Sequence, residues 1–319
     1  MVVKRALGSS GLDVAPLVLG GNVFGWTADQ PTSFAVLDAF VAGGGTMIDT
    51  ADVYSQWIPG NSGGESETVI GHWLKQRGHR DDVQIATKVG MLVPEGLEEN
   101  GLSPRNIAVA VEASLRRLQT DYIDLYFAHR DDADTPFEET LAAFDGLIKA
   151  GKVRAIAASN YTADRLAEAL AVSDANGLAR YTALQPWYNL LDRKDFEGPL
   201  QQLCIAENIG VVPYFGLASG FLTGKYRNPA DAEGKARGYR VKDYVNDRGF
   251  AVLAAMDAIA GETGASLPQI ALAWIAAQPG LTAPIASATS VAQVEELLGA
   301  MSLALSPDQV ARLDAAGAE

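Results

Sequence analysis

The chain has 319 residues, 48% hydrophobic and 20% charged, with a formal net charge of −14. That excess of acid disfavours nucleic acid and anionic membrane as partners, since both call for basic patches. A single cysteine, Cys204, rules out an intrachain disulfide and fits a reducing compartment, and three histidines with one thiol are too few for the usual zinc ligand sets.

A chain of this length buries about 75% of the surface it exposes when unfolded, so a large core is available. Barrels of alternating strands and helices commonly reach this size as one domain, and residues 1–319 read as one. No run of about 18 apolar residues occurs, and the N-terminus has no signal-peptide core. The expectation is a cytoplasmic protein with neither nucleic acid nor membrane as partner.

Residues 3–15 read as a hairpin turning at Gly8-Ser-Ser-Gly11, and Leu17–Gly20 as a first buried strand. Helical periods then fall near 32–43, 65–77, 103–118, 136–150, 162–174, 197–207 and 247–262. Strand-like runs fall near 46–49, 83–88, 122–128, 153–158, 182–186, 210–214 and 283–286. Short apolar runs between amphipathic helices imply parallel strands covered by helices. Ser103-Pro104 and Thr135-Pro136 offer an N-cap followed by a first-turn proline. Gly151 suits a helix stop, and Ser306-Pro307 starts a terminal helix. The long irregular stretch 224–246 carries Lys225, Arg227, Lys235, Arg237 and Arg240, cations that suit a phosphate-binding lid.

An open doubly wound sheet lacks its Gly-rich dinucleotide fingerprint here, because Leu19-Gly-Gly-Asn-Val-Phe-Gly25 has the wrong spacing. The expected architecture is therefore α/β: a (β/α)8 TIM barrel with an N-terminal β-hairpin and a C-terminal helix. In a barrel the ends of adjacent strands meet at the C-terminal face. Three strands in succession end in Asp49, Lys88 and His129, and Tyr54 follows Asp49 by one loop turn. A lysine ammonium near a phenol favours the phenolate, so Tyr54 is expected below its ordinary pKa of about 10. Asp49 would keep Lys88 charged, and His129 could hold a carbonyl oxygen. Such a set donates a proton and stabilises an oxyanion as a carbonyl receives a hydride.

Each residue also has a bland reading. Asp49 is an ordinary turn residue, Asp49–Lys88 a structural ion pair, and His129 a core or cap histidine. His72 and His79 read as surface residues, and Trp73 and Trp274 as core. The run Asp131-Asp132-Ala-Asp134 reads as a solvated loop. Trp26 and Trp57, on loops leaving the first two barrel strands, suit either a substrate-pocket wall or lid packing.

Taken together, Ile48-Asp-Thr-Ala-Asp-Val-Tyr54, Gly64-Glu-Ser-Glu67, Ile85-Ala-Thr-Lys88, Asp121–His129, Gly151-Lys-Val-Arg154, Ala158-Ser-Asn-Tyr161 and Gly220-Phe-Leu-Thr-Gly-Lys-Tyr226 resemble the aldo-keto reductase superfamily, nearer its bacterial and channel-subunit branches. The resemblance implies a barrel that reduces small aldehydes and ketones with NADP(H), or with NAD(H). It implies a catalytic set of Asp49, Tyr54, Lys88 and His129. It places Ser159, Asn160 and Gln185 at the nicotinamide carboxamide, and Tyr214 on the ring. It assigns Gly21, Asn22, Phe215, Leu217, Ser219, Gly220, Lys225, Ser287, Thr289, Gln293 and Glu296 to the rest of the dinucleotide. Residues 285–296 contain no Lys or Arg, where the family usually sets a cation against a 2′-phosphate. Two other functions fit the same residues: a slow-turnover dinucleotide-binding redox sensor, and a Schiff-base lyase using Lys88.

Overall fold

The computed structural model describes residues 2–93, 96–228, 231 and 238–318. A short antiparallel hairpin, β1 (Arg5–Ala6) and β2 (Asp13–Val14), precedes eight parallel strands. These are β3 (Val18–Gly20), β4 (Met47–Asp49), β5 (Gln84–Val89), β6 (Ile123–Ala128), β7 (Val153–Ser159), β8 (Tyr181–Gln185), β9 (Gly210–Val211) and β10 (Ile285–Ala286). The spatial order is β10-β3-β4-β5-β6-β7-β8-β9. Closure comes from backbone bonds between β9 and the approach to β10: Thr282 N–H donates to Val211 O at 2.8 Å and Ile285 N–H to Pro213 O at 2.9 Å. The expected barrel is the fold observed.

Alternation along the strands divides the interior from the helix layer. Val18, Met47, Ala86, Leu125, Phe127, Ala155, Ala157, Ala183, Val212 and Ala283 fill the barrel. Many are alanines, which leave room for the few bulky side chains that cross the axis. Leu7, Leu12 and Val14 of the hairpin join this cluster and plug the N-terminal end. Gly8, at φ +53°, lies so close that a Cβ there would stand 2.3 Å from Gly210 N. The opposite end carries the C-terminal residues of the eight strands.

Helices α1 (Gln30–Ala42), α2 (Glu65–Arg77), α3 (Pro104–Leu118), α4 (Phe137–Lys149), α5 (Ala163–Asn176) and α6 (Pro199–Ala206) cover successive strands. After a short α7 (Gly238–Val241), α8 (Asp247–Thr263), α9 (Leu267–Ala277), α10 (Val291–Leu298) and α11 (Pro307–Gly317) complete the shell. Asp29, Ser103, Thr162 and Ser306 cap α1, α3, α5 and α11 with side-chain oxygens, as such residues do at helix starts. Thr135 departs from expectation: its hydroxyl donates to Asp132 Oδ2 at 2.8 Å, and Pro136 stands uncapped at the start of α4. Helix α10 is an addition to the sequence reading, and α9 gives bounds to the helical period expected at Trp274. The terminal α11 packs on α8 through Arg312–Glu262 bonds of 2.6 and 2.7 Å, and its Asp314 accepts from Trp274 Nε1 at 2.9 Å. Among the described residues no single helix is long and apolar enough to cross a membrane.

Candidate active site

The open end of the barrel gathers the last residues of β4 through β8. Asp49 closes β4, Lys88 is the penultimate residue of β5, His129 follows β6, Ser159 closes β7 and Gln185 closes β8. Strand register sets this convergence, since Asp49 pairs with Ala86, Lys88 with Phe127 and Ser159 with Gln185.

Lys88 is fully buried and donates to both Asp49 oxygens at 2.7 Å, to Thr50 O at 2.8 Å and to Tyr54 Oη at 3.0 Å. A buried ammonium is tolerated only when paired and hydrogen-bonded, and this one is both. Burial still pulls its pKa below 10.5, with Asp49 opposing that pull. Tyr54 Oη in turn donates to Asp49 Oδ2 at 3.3 Å. Its pKa moves against the sequence expectation. Burial, and then the Asp49 carboxylate, hold the phenol well above 10. Because Asp49 already neutralises Lys88, the ammonium does not lower the phenol's pKa in this state. Tyr54 therefore rests as a protonated phenol, which is the form a proton donor requires.

His129 lies edge-on to Tyr54, with ring centroids 6.1 Å apart. Burial, then the Lys88 charge, pull its pKa well below 6.5, so the imidazole is neutral near pH 7. Its Nδ1 is buried with no partner among the described residues. Trp57 continues the aromatic line outward, 6.2 Å from Tyr54 and 5.6 Å from Trp26. Trp57 is 49% exposed and Trp26 is partly buried, so neither ring belongs to the core.

A second network adjoins the first. Gln185 Nε2 donates to Asp49 Oδ1 at 2.8 Å, and Ser159 Oγ donates to Gln185 O at 2.9 Å. Asn160, at φ +59°, gives its amide hydrogens to His129 O at 2.9 Å and Ser159 Oγ at 3.1 Å. Tyr214, whose phenol is pushed up to about 12 by burial, donates to Asn160 Oδ1 at 2.6 Å. Phe215 and the half-exposed Trp187 lie beside it, their own ring centroids 4.5 Å apart and tilted by 54°, and Trp187 was not singled out from the sequence.

The dinucleotide's other expected contacts lie around this centre. Gly21 N–H donates to Asp49 O at 2.7 Å, and Asn22 pairs with Ser287 across β3 and β10. After β9, Ala218, Ser219 and Gly220 take consecutive left-handed conformations. A Cβ on Gly220 would stand 3.3 Å from Lys225 Nζ, so glycine lets backbone and ammonium come together, as an anion cradle needs. Leu217 enters that loop. Thr289 and Gln293 form a separate group, with Thr289 N–H and hydroxyl both donating to Gln293 Oε1. Glu296 contributes a backbone carbonyl to Gln269, and its side chain is exposed. No hydrogen bond among the described residues joins this group to Asp49, Lys88 or Tyr54. Arg227 is held by Asp257 at 2.7 and 2.9 Å, away from the role expected of it, and Lys235 and Arg237 lie outside the described residues.

Lys88 as a Schiff-base nucleophile does not fit this geometry. Imine formation needs a neutral amine with an accessible lone pair. Here the nitrogen is fully buried and faces four acceptors.

A barrel end that joins a buried Asp–Lys pair to a protonated tyrosine has the groups that carbonyl reduction calls for. Comparison with known proteins agrees: the model of the aldo/keto reductase family matches residues 16–318, and the chain belongs to that family. It is an NAD(P)H-dependent oxidoreductase of small-molecule carbonyl compounds. It is 33% identical over 321 residues to a probable voltage-gated potassium channel subunit beta of Oryza sativa, covering 98% of this chain and 95% of that one. It is 33% identical over 331 residues to Protein tas of Escherichia coli, covering 96% and 95%. A norsolorinic acid reductase of Aspergillus flavus is 30% identical over 319 residues, covering 96% and 78%.

Proposed function

We propose that this chain reduces aldehydes or ketones with Tyr54 as the proton donor, and that Asp49, Lys88 and His129 complete the catalytic set. The bound dinucleotide supplies the hydride. The observation that carries the reading is the 3.0 Å contact between Lys88 Nζ and the protonated Tyr54 hydroxyl. In the resting site the phenol's proton is directed at Asp49. A substrate carbonyl oxygen facing Tyr54 accepts that proton instead, and the phenolate left behind sits against the ammonium. The cation thus acts on the charge that develops during reaction, which is where stabilisation raises the rate. Neutral His129 holds the same oxygen by a hydrogen bond.

Ser159, Asn160 and Gln185 would hold the nicotinamide carboxamide, Tyr214 the ring, and the Leu217–Gly220 loop with Lys225 the pyrophosphate. NADPH is used with a weaker preference over NADH than a relative bearing Lys or Arg at this site shows, because residues 285–296 supply hydroxyls and no cation. Trp26 and Trp57 line the substrate entrance. Screening aldehydes and ketones with both dinucleotides, while following nicotinamide absorbance, tests the reading directly. Steady turnover with at least one carbonyl class supports it. A single stoichiometric oxidation of bound NADPH, with no turnover after it, would instead identify a redox sensor.

A further inference from the structure

Gln185 is 2% exposed and joins two parts of the site that the mechanism treats separately. Its amide faces Asp49 at 2.8 Å. An ionised carboxylate only accepts hydrogen bonds, so the group facing it must be the NH2 and the Oε1 must point the other way. The neighbouring donors are already committed. Asn160 spends both amide hydrogens on His129 O and Ser159 Oγ, and Ser159 spends its hydroxyl hydrogen on Gln185 O. Tyr214 gives its phenol hydrogen to Asn160 Oδ1. Among the described residues no donor reaches Gln185 Oε1. Apart from the second Gln185 amide hydrogen, these side-chain donors are spent, and Gln185 Oε1 is the acceptor left open.

We propose that Asp49 is a positioning residue for the nicotinamide as well as the anchor of Lys88. Through Gln185 it keeps the Oε1 as an open acceptor, so that this point of the site selects a ligand bearing an N–H donor. The inference rests on the dinucleotide reading above. It joins cofactor orientation to the proton-donating centre through one carboxylate: Asp49 Oδ1 serves both Lys88 and Gln185, while Oδ2 serves Lys88 and Tyr54. A ring seated with its carboxamide reversed would leave Gln185 Oε1 buried without a donor, which is costly.

The test uses the whole chain and binding alone, read by tryptophan fluorescence quenching. Three oxidised dinucleotides are compared: NADP, its thionicotinamide analogue, which keeps the NH2, and its 3-acetylpyridine analogue, which replaces the NH2 with methyl. Wild type should bind the acetylpyridine analogue about tenfold more weakly than NADP, the cost of leaving a buried acceptor unpaired. The thionicotinamide analogue should stay within about threefold. In Asp49→Asn the new amide can donate to Gln185 Oε1 and release the Gln185 amide to turn. Asp49→Ala removes the restraint altogether. Both should shrink the acetylpyridine penalty to below about threefold, whereas Lys88→Met, which leaves the carboxylate in place, should keep it. A general loosening of the fold would weaken all three ligands together and leave their ratio unchanged. Equal binding of NADP and the acetylpyridine analogue by wild type overturns the proposal whatever the variants do. So does a full penalty surviving in Asp49→Asn or Asp49→Ala. Failure of wild type to bind any of the three would strike the dinucleotide reading itself.

Discussion

The Lys88 ammonium stands 3.0 Å from the Tyr54 hydroxyl and yet leaves it protonated. Burial holds the proton on the phenol, and Asp49 reinforces it by neutralising the lysine and accepting the phenol's hydrogen. The lysine's contribution is then largely withheld until the proton departs. Replacing Lys88 with Met should lower kcat for reduction by about 10²–10⁴-fold, the usual scale for a lost acid–base contribution. A kcat within about threefold of wild type would show that the ammonium has no part in the chemistry.

The pH dependence should differ between directions. Reduction requires the Tyr54 phenol and neutral His129. The phenol's pKa lies well above 10 and that of His129 well below 6.5. Both groups hold their required form between pH 6 and 9, so kcat/KM for carbonyl reduction should be flat there. Alcohol oxidation needs the phenolate, and its rate should climb with pH across the same range. A reductive profile bending near pH 7 would mean that His129 titrates during the reaction.

Asp52 gives a stability prediction. It is 1% exposed and neither carboxyl oxygen has a partner among the described residues, while nearby Glu67 takes Arg117 at 2.6 Å. Burial, then Glu67, raise its pKa well above 3.8, with Arg117 and Lys88 opposing. A carboxyl raised on folding binds more protons folded than unfolded. Its contribution to stability is therefore full below pH 3.8 and is lost as pH rises toward the folded value. Asp52→Asn does not titrate, so its unfolding free energy relative to wild type should gain up to about 1.4 kcal/mol per pH unit on going from pH 5 to 8. Urea melts of both proteins at several pH values measure this. Parallel pH curves would mean that Asp52 is ionised, and paired, in the native state.

Much of this site was legible in the sequence because it lies on strand ends. Once Ile48-Asp49, Thr87-Lys88 and Ala128-His129 are read as the ends of parallel strands, barrel closure brings them together. What the sequence hid depended on partners far along the chain. The Gln185–Asp49 bond spans 136 residues, and no local pattern marks it. The phenol's pKa was misjudged because the Asp49–Lys88 pairing was readable but the burial of Tyr54, the largest cause of the rise, is set by the whole fold. Helix α9 was legible only as a helical period at Trp274, without bounds, because Ile270 through Ile275 are all buried and leave no polar face to mark its extent. The strand expected over 210–214 shortens to Gly210–Val211, and Pro213 has no N–H to extend the ladder.

Cofactor preference follows from charge. Ser287 is tied to Asn22, Thr289 to Gln293, and Arg227 to Asp257. A neutral hydrogen bond contributes about 0.5–1.5 kcal/mol and a charge-assisted one about 1.5–3. The kcat/KM ratio of NADPH to NADH should therefore stay below about a thousandfold. Thr289→Arg should raise that ratio by about tenfold. An unchanged ratio in that variant would place the 2′-phosphate elsewhere.

The central claim is that Tyr54 gives the proton, and Tyr54→Phe tests it most directly. The variant keeps the ring, and with it the contacts to Trp57 and His129, and removes only the hydroxyl. The measurement is the single-turnover rate of NADPH oxidation by a reactive aromatic aldehyde, with the dinucleotide Kd determined on the same sample. The account predicts a rate at least about 10²-fold below wild type, with the Kd changed by less than about threefold. A variant that retains more than about a tenth of the wild-type rate would contradict it, because the proton would then have another source.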